Sequence, residues 1–140
     1  MKVDKTSILQ KANSMIKNTM IEHLDIEYTD IGENYLEATM PVTSKVHQPM
    51  GLLHGGANAA LAESLGSLGS HLMVNDPNKA VVGIEINANH IKSVRDGVVT
   101  ARGELIHKGR TTHVWDIKIH SDQNVLLSVC RLTNMVIDKK

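Results

Sequence analysis

One carboxylate stands alone among small and apolar residues near the middle of this sequence. Glu63 is the only residue between His47 and Val74 that carries a full charge at pH 7, and Ala, Gly, Ser and Leu surround it. A solvated helix face usually carries paired Lys and Glu side chains. We therefore interpret Glu63 as a partly buried carboxylate and a candidate functional residue. The alternative is an ordinary surface residue without a chemical role.

A second chemical signal precedes Glu63, in the segment HQPMGLLHGG at 47–56. His54 occupies a position like that of an N-cap, and the following Gly55 and Gly56 allow a ligand to come close to the backbone. Free N–H groups at a helix start stabilise developing negative charge, such as that on a carbonyl oxygen under attack. Gln48 adds an uncharged amide donor nearby. The alternative is a plain helix start.

The helix that must position these residues is predicted from Gly55 to about Val74. One of its faces carries leucines at steps of four, three and four, which predicts contact with a sheet: Leu61, Leu65, Leu68 and Leu72. The opposite face is expected to hold small residues and the single acid: Gly56, Ala59, Ala60, Glu63, Gly66, Ser67 and Ser70. A small-residue face suits close approach by another backbone, most simply a twofold copy of the same chain. We therefore expect Glu63 at the interface of a homodimer.

Helical geometry separates the two chemical signals within one chain. Glu63 lies eight positions after Gly55, which corresponds to roughly 12 Å along a helix axis. One carbonyl group cannot contact both residues. If both serve one reaction, the carboxylate must come from an antiparallel helix of the partner subunit, so that the active site is composite.

The rest of the chain completes a single α+β domain over 1–140. Apolar residues at helical spacing predict a helix within 6–24, with Thr6 or Ser7 as its N-cap. Alternation in YLEATMPV predicts a strand at 35–42. Four further strands, whose short connecting turns favour antiparallel pairing, are predicted at 80–92, 98–107, 111–120 and 125–137. The economical solution is one antiparallel sheet against one long helix.

Composition and charge exclude several function classes. Fifteen basic and fifteen acidic residues cancel, and the chain has no Phe, one Trp and two Tyr, so nucleic acid is not an expected partner. No run approaches the length of a membrane span, and the start lacks the apolar core of a signal peptide. Cys130 is the single cysteine, so no disulfide forms within the chain and a cytoplasmic location is expected. The histidines form no recognisable ligand motif, and no metal is expected: His47, His54, His71 and His90.

Four segments carry a resemblance to a known family: QPMGLLHGGANAALAES, VVGIEINANHIKSVRDG, GELIHKGRTTHVW and CRLTNMVI. The chain resembles the hotdog-fold acyl-CoA thioesterases, and more narrowly the phenylacetate-degradation type with the bacterial 1,4-dihydroxy-2-naphthoyl-CoA thioesterases. The likeness extends from about Ile8 to Ile137. It implies a hotdog fold, in which a single antiparallel β-sheet wraps a long central helix. It also implies dimers that pair into homotetramers.

The resemblance implies roles for individual residues. Glu63 matches the catalytic carboxylate, which acts either as a general base or as a nucleophile, and Ser67 matches a residue near the hydrolytic water. Gln48, His54 and the Gly55 N–H match the group that orients and polarises the thioester carbonyl. Coenzyme A is part of the substrate rather than a cofactor, and the resemblance assigns it basic and turn residues: His90, Lys92, Arg95, Lys108, Gly109 and Arg110. The lysine at 92 departs from the pattern, because close relatives are expected to carry Arg there.

The resulting hypothesis is hydrolysis of an acyl-CoA thioester to the free acid and CoA. The resemblance favours an aromatic acyl group such as 1,4-dihydroxy-2-naphthoyl in menaquinone biosynthesis, with other aryl-CoA or aryl-carrier thioesters as rivals. Two alternatives from other classes stay open. One is a hotdog enoyl-CoA hydratase or dehydratase, although such proteins usually pair Asp or Glu with His in a different local motif. The other is a non-catalytic module that binds acyl-CoA.

Overall fold

Six antiparallel strands form one sheet, and a helix of 20 residues packs along one face of it, in a computed structural model that describes residues 4–140. The elements in chain order are α1 (Lys5–Ser14), α2 (Met20–His23), β1 (Glu27–Ile31), β2 (Tyr35–Pro41), a 3-10 turn (Ser44–Val46), α3 (Gly55–Val74), β3 (Lys79–His90), β4 (Val98–Lys108), β5 (Thr112–His120) and β6 (Leu126–Asp138). The strand order is β1-β2-β4-β5-β6-β3, which confirms the predicted α+β hotdog fold. Within 4–140 no helix combines the length and apolarity needed to cross a membrane.

The observed strands agree closely with the sequence pattern, with one exception. Each predicted strand end lies within two residues of the observed end, and α3 has the predicted bounds. Strand β1 is the exception, because its sequence EYTDI is short and mostly polar. A bulge between Tyr28 and Asp30 also interrupts its alternation, so the period of two that marks a strand is lost.

The predicted single helix within 6–24 is wrong, because α1 and α2 are separate elements. Between them Asn18 adopts a left-handed φ of 61°, which a continuous right-handed helix cannot contain. The N-cap also differs from the prediction of Thr6 or Ser7. It is Asp4, whose side chain accepts the Ser7 N–H at 3.3 Å.

Helix α3 approaches the sheet closely beside Trp115. A Cβ at Gly69 would lie 2.5 Å from the Trp115 ring, and a Cβ at Gly66 would lie 2.4 Å from Leu132 Cδ2. Glycine at these two positions therefore sets the distance between helix and sheet. The predicted leucine stripe faces the same way, with the first two leucines fully buried and the last two partly buried: Leu61, Leu65, Leu68 and Leu72.

Two residues predicted for the opposite face of α3 lie against the sheet instead. Gly66 is buried, and Ser70 is fully buried, where its Oγ accepts from Trp115 Nε1 at 2.8 Å and from Asn134 Nδ2 at 2.9 Å. Periodicity treats a serine as a surface residue, but two buried donors make its burial favourable. The remaining residues define the outer face of α3: Gly56, Ala59, Ala60, Glu63 and Ser67.

Strand β3 forms one edge of the sheet and pairs with β6 alone among the described elements. It is 12 residues long. Two of its apolar side chains are exposed to solvent, since Val82 is 41% exposed and Ile84 is 51% exposed. A long edge strand offers unpaired N–H and C=O groups to another strand. This edge is therefore a candidate surface for a second copy of the chain.

Replacement of Gly69 by Ala should destabilise the fold, although Ala is the better helix former. Ala in an open helix gains about 1 kcal/mol over Gly, but here the added Cβ would overlap the Trp115 ring, and overpacking costs about 1–3 kcal/mol. We expect a net decrease in the free energy of unfolding, measured by urea denaturation. His71→Ala, at an exposed position of α3, is the control and should change stability little. A Gly69→Ala chain of raised stability would contradict the close packing.

Candidate active site

Helix α3 begins with one unpaired backbone donor. His54 is the N-cap, and its Nδ1 accepts the Gly56 N–H at 2.8 Å. The His54 carbonyl accepts the N–H groups of Ala57 at 3.0 Å and Asn58 at 3.4 Å. Within residues 4–140 the remaining first-turn donor, the Gly55 N–H, makes no hydrogen bond. It lies at the positive end of the helix dipole and can bind a ligand oxygen.

The cap also determines which ring nitrogen of His54 carries the hydrogen. A backbone N–H only donates, so Nδ1 must accept and holds no hydrogen in this arrangement. The hydrogen of the neutral ring is therefore on Nε2. Because His54 is exposed, this Nε2–H is available as a second donor at the start of α3.

The loop before α3 presents the amide of Gln48. An isolated bridge between His47 and Leu53 closes the loop, and the Gln48 N–H donates to the Leu52 carbonyl at 2.8 Å. The Gln48 Oε1 accepts the Met50 N–H. The amide oxygen is thus engaged inside the loop, which leaves the NH₂ group as the part that donates to a ligand.

His90, the last residue of β3, packs against the start of α3. A Cβ at Gly55 would lie 2.5 Å from His90 Nε2, so the ring occupies the space beside Gly55. His90 Nδ1 lies 2.8 Å from Ser128 Oγ, which also accepts from Asn58 Nδ2 at 3.1 Å. Both of these partners are buried and hold the ring in place. Nucleotide binding by His90 stays a prediction.

Glu63 lies on the outer face of α3 and is partly buried within the single chain, whereas its burial at a subunit interface stays a prediction. With Ser67, one turn later, it lines an open depression of about 430 Å³. Its Oε1 rests against β3, 2.7 Å from the position that a Cβ would occupy at Gly83. The carboxylate therefore reaches from the helix to the edge strand. The other residues of the depression are small or apolar: Met20, Ile21, Gly56, Ala59, Ala60 and Ser64.

A larger cavity of about 770 Å³ lies at the other end of α3, where its lining includes Leu68, Leu72 and Val81. None of the predicted site residues lines this cavity. Its lining includes the carboxylates of Glu33 and Asp76, but none of its residues belongs to the start of α3, where the unpaired backbone donor lies. We therefore place the candidate site at the start and on the outer face of α3.

The predicted coenzyme A residues form two groups at opposite ends of β3. Lys92 and Arg95 follow its last residue, whereas the β4–β5 turn at 108–110 lies near its first residues. The position of this turn follows from a hydrogen bond between the Val136 N–H and the Thr111 carbonyl at 2.8 Å, because Val136 pairs with the beginning of β3. One chain therefore does not bring the two groups together.

The side chains that commonly bind metal ions do not cluster in the described part of the chain. Residues 4–140 contain no cluster of three His, Cys, Asp or Glu side chains that could hold a metal ion. His47 Nε2 lies 2.7 Å from the Arg95 carbonyl oxygen, His54 caps α3, and His90 contacts Ser128. These histidines serve three separate contacts. The expectation of a metal-free site stays a prediction.

Sequence reasoning missed four residues that shape the site: Asn58, Gly83, Ser128 and Asn134. Asn134 is fully buried in β6, on the same side as the buried Cys130 and Leu132. The available signal was a polar residue at an inward position of the alternating segment CRLTNMVI. The contact of Gly83 with Glu63 has no such signal, because it joins residues 20 positions apart in different elements.

Comparisons with known proteins place this geometry in context. The model of the Thioesterase superfamily matches residues 50–128. The chain is 45% identical over 129 residues to the proofreading thioesterase EntH of Cronobacter turicensis, which covers 92% of this chain and 93% of that protein. A mutant of thioesterase PA1618 from Pseudomonas aeruginosa superposes with a TM-score of 0.92 at 45% identity, over 94% of each chain. Thioesterase HI1161 from Haemophilus influenzae gives a TM-score of 0.89 at 47% identity, over 93% of this chain and 90% of that one.

His54→Ala should lower the free energy of unfolding by about 1 kcal/mol, because the Gly56 N–H loses its side-chain acceptor. His54→Asn should restore most of this loss, since the Asn side-chain oxygen is a strong N-cap acceptor. Urea denaturation of the original chain and both variants measures the difference. An alanine variant as stable as the original chain would show that His54 does not act as a cap.

Proposed function

This chain belongs to the thioesterase superfamily and hydrolyses acyl thioesters, and from this premise we propose that its substrate is an aromatic acyl-CoA and that Glu63 is the catalytic carboxylate. The observation that carries the proposal is the unpaired Gly55 N–H at the start of α3. The thioesterase names of the relatives favour hydrolysis over the hydratase and binding-module alternatives.

In this proposal the thioester carbonyl oxygen binds at the start of α3. It accepts hydrogen bonds from the Gly55 N–H, from His54 Nε2–H and from the Gln48 NH₂ group. Attack on the carbonyl carbon places negative charge on this oxygen, and preorganised donors stabilise that charge more in the transition state than in the ground state. Loss of one such donor typically lowers the rate by about 10²–10³-fold.

Glu63 supplies the other half of the proposed chemistry. As a general base, its carboxylate takes a proton from the attacking water. As a nucleophile, it attacks the carbonyl carbon to give a mixed anhydride, which water then hydrolyses. In both routes the C–S bond breaks and the CoA thiolate takes up a proton. Ser67, on the same outer face of α3, is proposed to contact the water.

The proposed active site requires two chains, because the two halves lie apart on one helix. Gly55 and Glu63 are separated by roughly 12 Å along α3. We propose an isologous dimer in which β3 of one chain pairs antiparallel with β3 of its partner about a twofold axis. Support comes from the long open edge of β3 and from its exposed Val82 and Ile84 side chains.

The contacts of β3 favour a particular register for this pairing. Glu63 rests beside Gly83 near the beginning of the strand, and the ring of His90 at its end packs against the start of α3. A twofold axis near Asn87 brings the Gly83 end of β3 in one chain beside the His90 end of β3 in the partner subunit. The carboxylate of each chain then lies near the donors of the other.

The same register joins the two proposed groups of coenzyme A residues. It brings the turn at 108–110 of one chain, near the beginning of its β3, towards Lys92 and Arg95 of the partner subunit. Arg110 is the preferred phosphate contact because its planar guanidinium binds phosphate in a bidentate manner. Lys92 would hold a phosphate as a point charge. We retain the pairing of two dimers into a homotetramer from the family resemblance, and sedimentation analysis measures it.

The proposed acyl group is aromatic, with 1,4-dihydroxy-2-naphthoyl-CoA of menaquinone biosynthesis as the first candidate. Ala59 and Ala60 leave room on the outer face of α3, while Met20 and Ile21 add adaptable apolar surface against which a flat ring can pack. A thiol-release screen of naphthoyl, benzoyl, phenylacetyl and straight-chain CoA esters tests the class. A higher kcat/KM for straight-chain esters would overturn the aromatic assignment.

Glu63→Gln should lower kcat on the preferred ester by about 10²–10⁴-fold, the usual contribution of acid–base catalysis. The substitution keeps the size of the side chain and removes its basicity, so we expect the fold and the oligomeric state to be retained. Thiol release measures turnover, and sedimentation analysis measures assembly. Turnover equal to that of the original chain would contradict the catalytic role.

A thiol reagent is suitable for these assays, because the chain itself contributes little reactive thiol. Cys130 is the single cysteine of the sequence and is buried. Burial raises the pKa of its thiol to about 11, and the charge of Asp116 adds to the effect. Hardly any thiolate is therefore present near neutral pH. A blank with protein and reagent alone is the control.

Mixed dimers test whether the site is composite. One chain carries Glu63→Gln and the other carries both Gln48→Ala and His54→Ala. A mixed dimer with composite sites has one site with every substitution and one site with none, so random pairing of equal amounts restores about a quarter of the original activity. If each site belonged to one chain, the mixture would be no more active than the average of the two homodimers.

A further inference from the structure

A buried asparagine beneath α3 has an oxygen without a partner. Asn134 is fully buried, and its Nδ2 donates to the Gly66 carbonyl at 3.1 Å and to Ser70 Oγ at 2.9 Å. Because a backbone carbonyl only accepts, the NH₂ group must face Gly66, and the orientation of the amide is determined. Its Oδ1 therefore faces elsewhere and makes no hydrogen bond within residues 4–140.

This oxygen and the Glu63 carboxylate border the same small space beside β3. From the position that a Cβ would occupy at Gly83, Glu63 Oε1 lies at 2.7 Å and Asn134 Oδ1 lies at 3.6 Å. Both atoms are acceptors, and a buried acceptor without a hydrogen-bond partner destabilises the fold. A donor that binds both oxygens would remove this penalty, and a water molecule carries two hydrogens for that purpose.

We propose that Asn134 is a positioning residue, whose Oδ1 orients the attacking water against the Glu63 carboxylate. The inference rests on the proposed function of Glu63. The water donates one hydrogen to Asn134 Oδ1 and the other to Glu63. Its oxygen lone pair is then directed at the thioester carbon. Gly83 contributes by leaving the space that a Cβ would fill.

The hydrolytic step balances without any change in Asn134. As the water oxygen bonds to the carbonyl carbon, its proton passes to Glu63. The C–S bond then breaks, the carbonyl re-forms, and the proton moves from Glu63 to the CoA thiolate. The hydrogen bound to Asn134 Oδ1 stays with the product acid. Asn134 thus orients the nucleophile and transfers no proton.

Asn134→Leu removes Oδ1 with little change in size and should lower kcat by about 10–100-fold, the usual effect of misplaced reacting groups. KM for the preferred ester should stay within twofold, since the proposed substrate contacts lie elsewhere. Ser70→Ala is the matched control, because it removes the two hydrogen bonds that Ser70 Oγ accepts in the same cluster and leaves Oδ1 in place. Both variants should lower the unfolding temperature, but only the leucine variant should lose most of its kcat.

Gly83→Ala perturbs the same space without touching the hydrogen bonds of Asn134. Its Cβ would meet Glu63 Oε1, which is the end of a flexible side chain, so the fold can adapt. We expect a lower kcat with an unchanged unfolding temperature and oligomeric state. This variant keeps the proposal testable if Asn134→Leu does not fold.

The outcomes separate this inference from the proposed function. The positioning role is overturned if Asn134→Leu or Gly83→Ala retains kcat within threefold of the original chain. It is also overturned if Ser70→Ala loses as much kcat as Asn134→Leu. Glu63→Gln is measured alongside, and an unchanged kcat in that variant would overturn the proposed function instead.

Discussion

The close contact between α3 and the sheet at Trp115 determines where every group of the candidate site lies. Gly66 and Gly69 let the helix backbone approach the Trp115 ring and Leu132 at distances that no Cβ tolerates. Protein interiors are packed densely, so a helix seated this way cannot slide or rotate without creating overlap or voids. The position of its outer face relative to β3 is thereby fixed. The contact of the Glu63 carboxylate with the edge strand depends on this position.

Two buried polar clusters add direction to this packing. At the start of α3, Asn58 and Ser128 hold the ring of His90. Further along, Ser70 and Asn134 join the helix to β5 and β6. Apolar contacts alone permit small rotations of a helix, whereas hydrogen bonds weaken steeply with angle. The clusters therefore orient the unpaired Gly55 N–H and the Glu63 side chain more narrowly than the leucine stripe could.

The sequence predicts those parts of the fold whose pattern repeats locally. The strands after α3 alternate, and the leucines of α3 recur at helical spacing, so both are readable from neighbouring residues. Strand β1 and the break at Asn18 are not readable, because a bulge and one left-handed residue interrupt their periods. Ser70 shows the same limit for a single residue. Its burial depends on donors from two strands that lie distant in sequence.

The candidate site likewise contains residues that can be identified from the sequence and one that cannot. Glu63 and Gly55 stand out in the sequence because one is a lone charge and the other follows a capping residue. The partner oxygen on Asn134 depends on how α3, β3 and β6 meet, which no spacing along the chain encodes.

In the proposed dimer catalysis depends on the twofold symmetry, because the donors and the carboxylate lie at different points along α3. A helix rises about 1.5 Å per residue, so the donors at its start and the carboxylate of Glu63 cannot meet on one substrate within one chain. A twofold axis sets two such helices antiparallel. Each helix then contributes the donors at its start to one active site and the Glu63 carboxylate to the other. Edge-strand pairing through β3 is suited to this task, because Gly83 and His90 mark the strand positions beside the two halves. The distance between donors and carboxylate prevents catalysis by one chain. Twofold pairing of two chains overcomes this distance and gives two identical active sites.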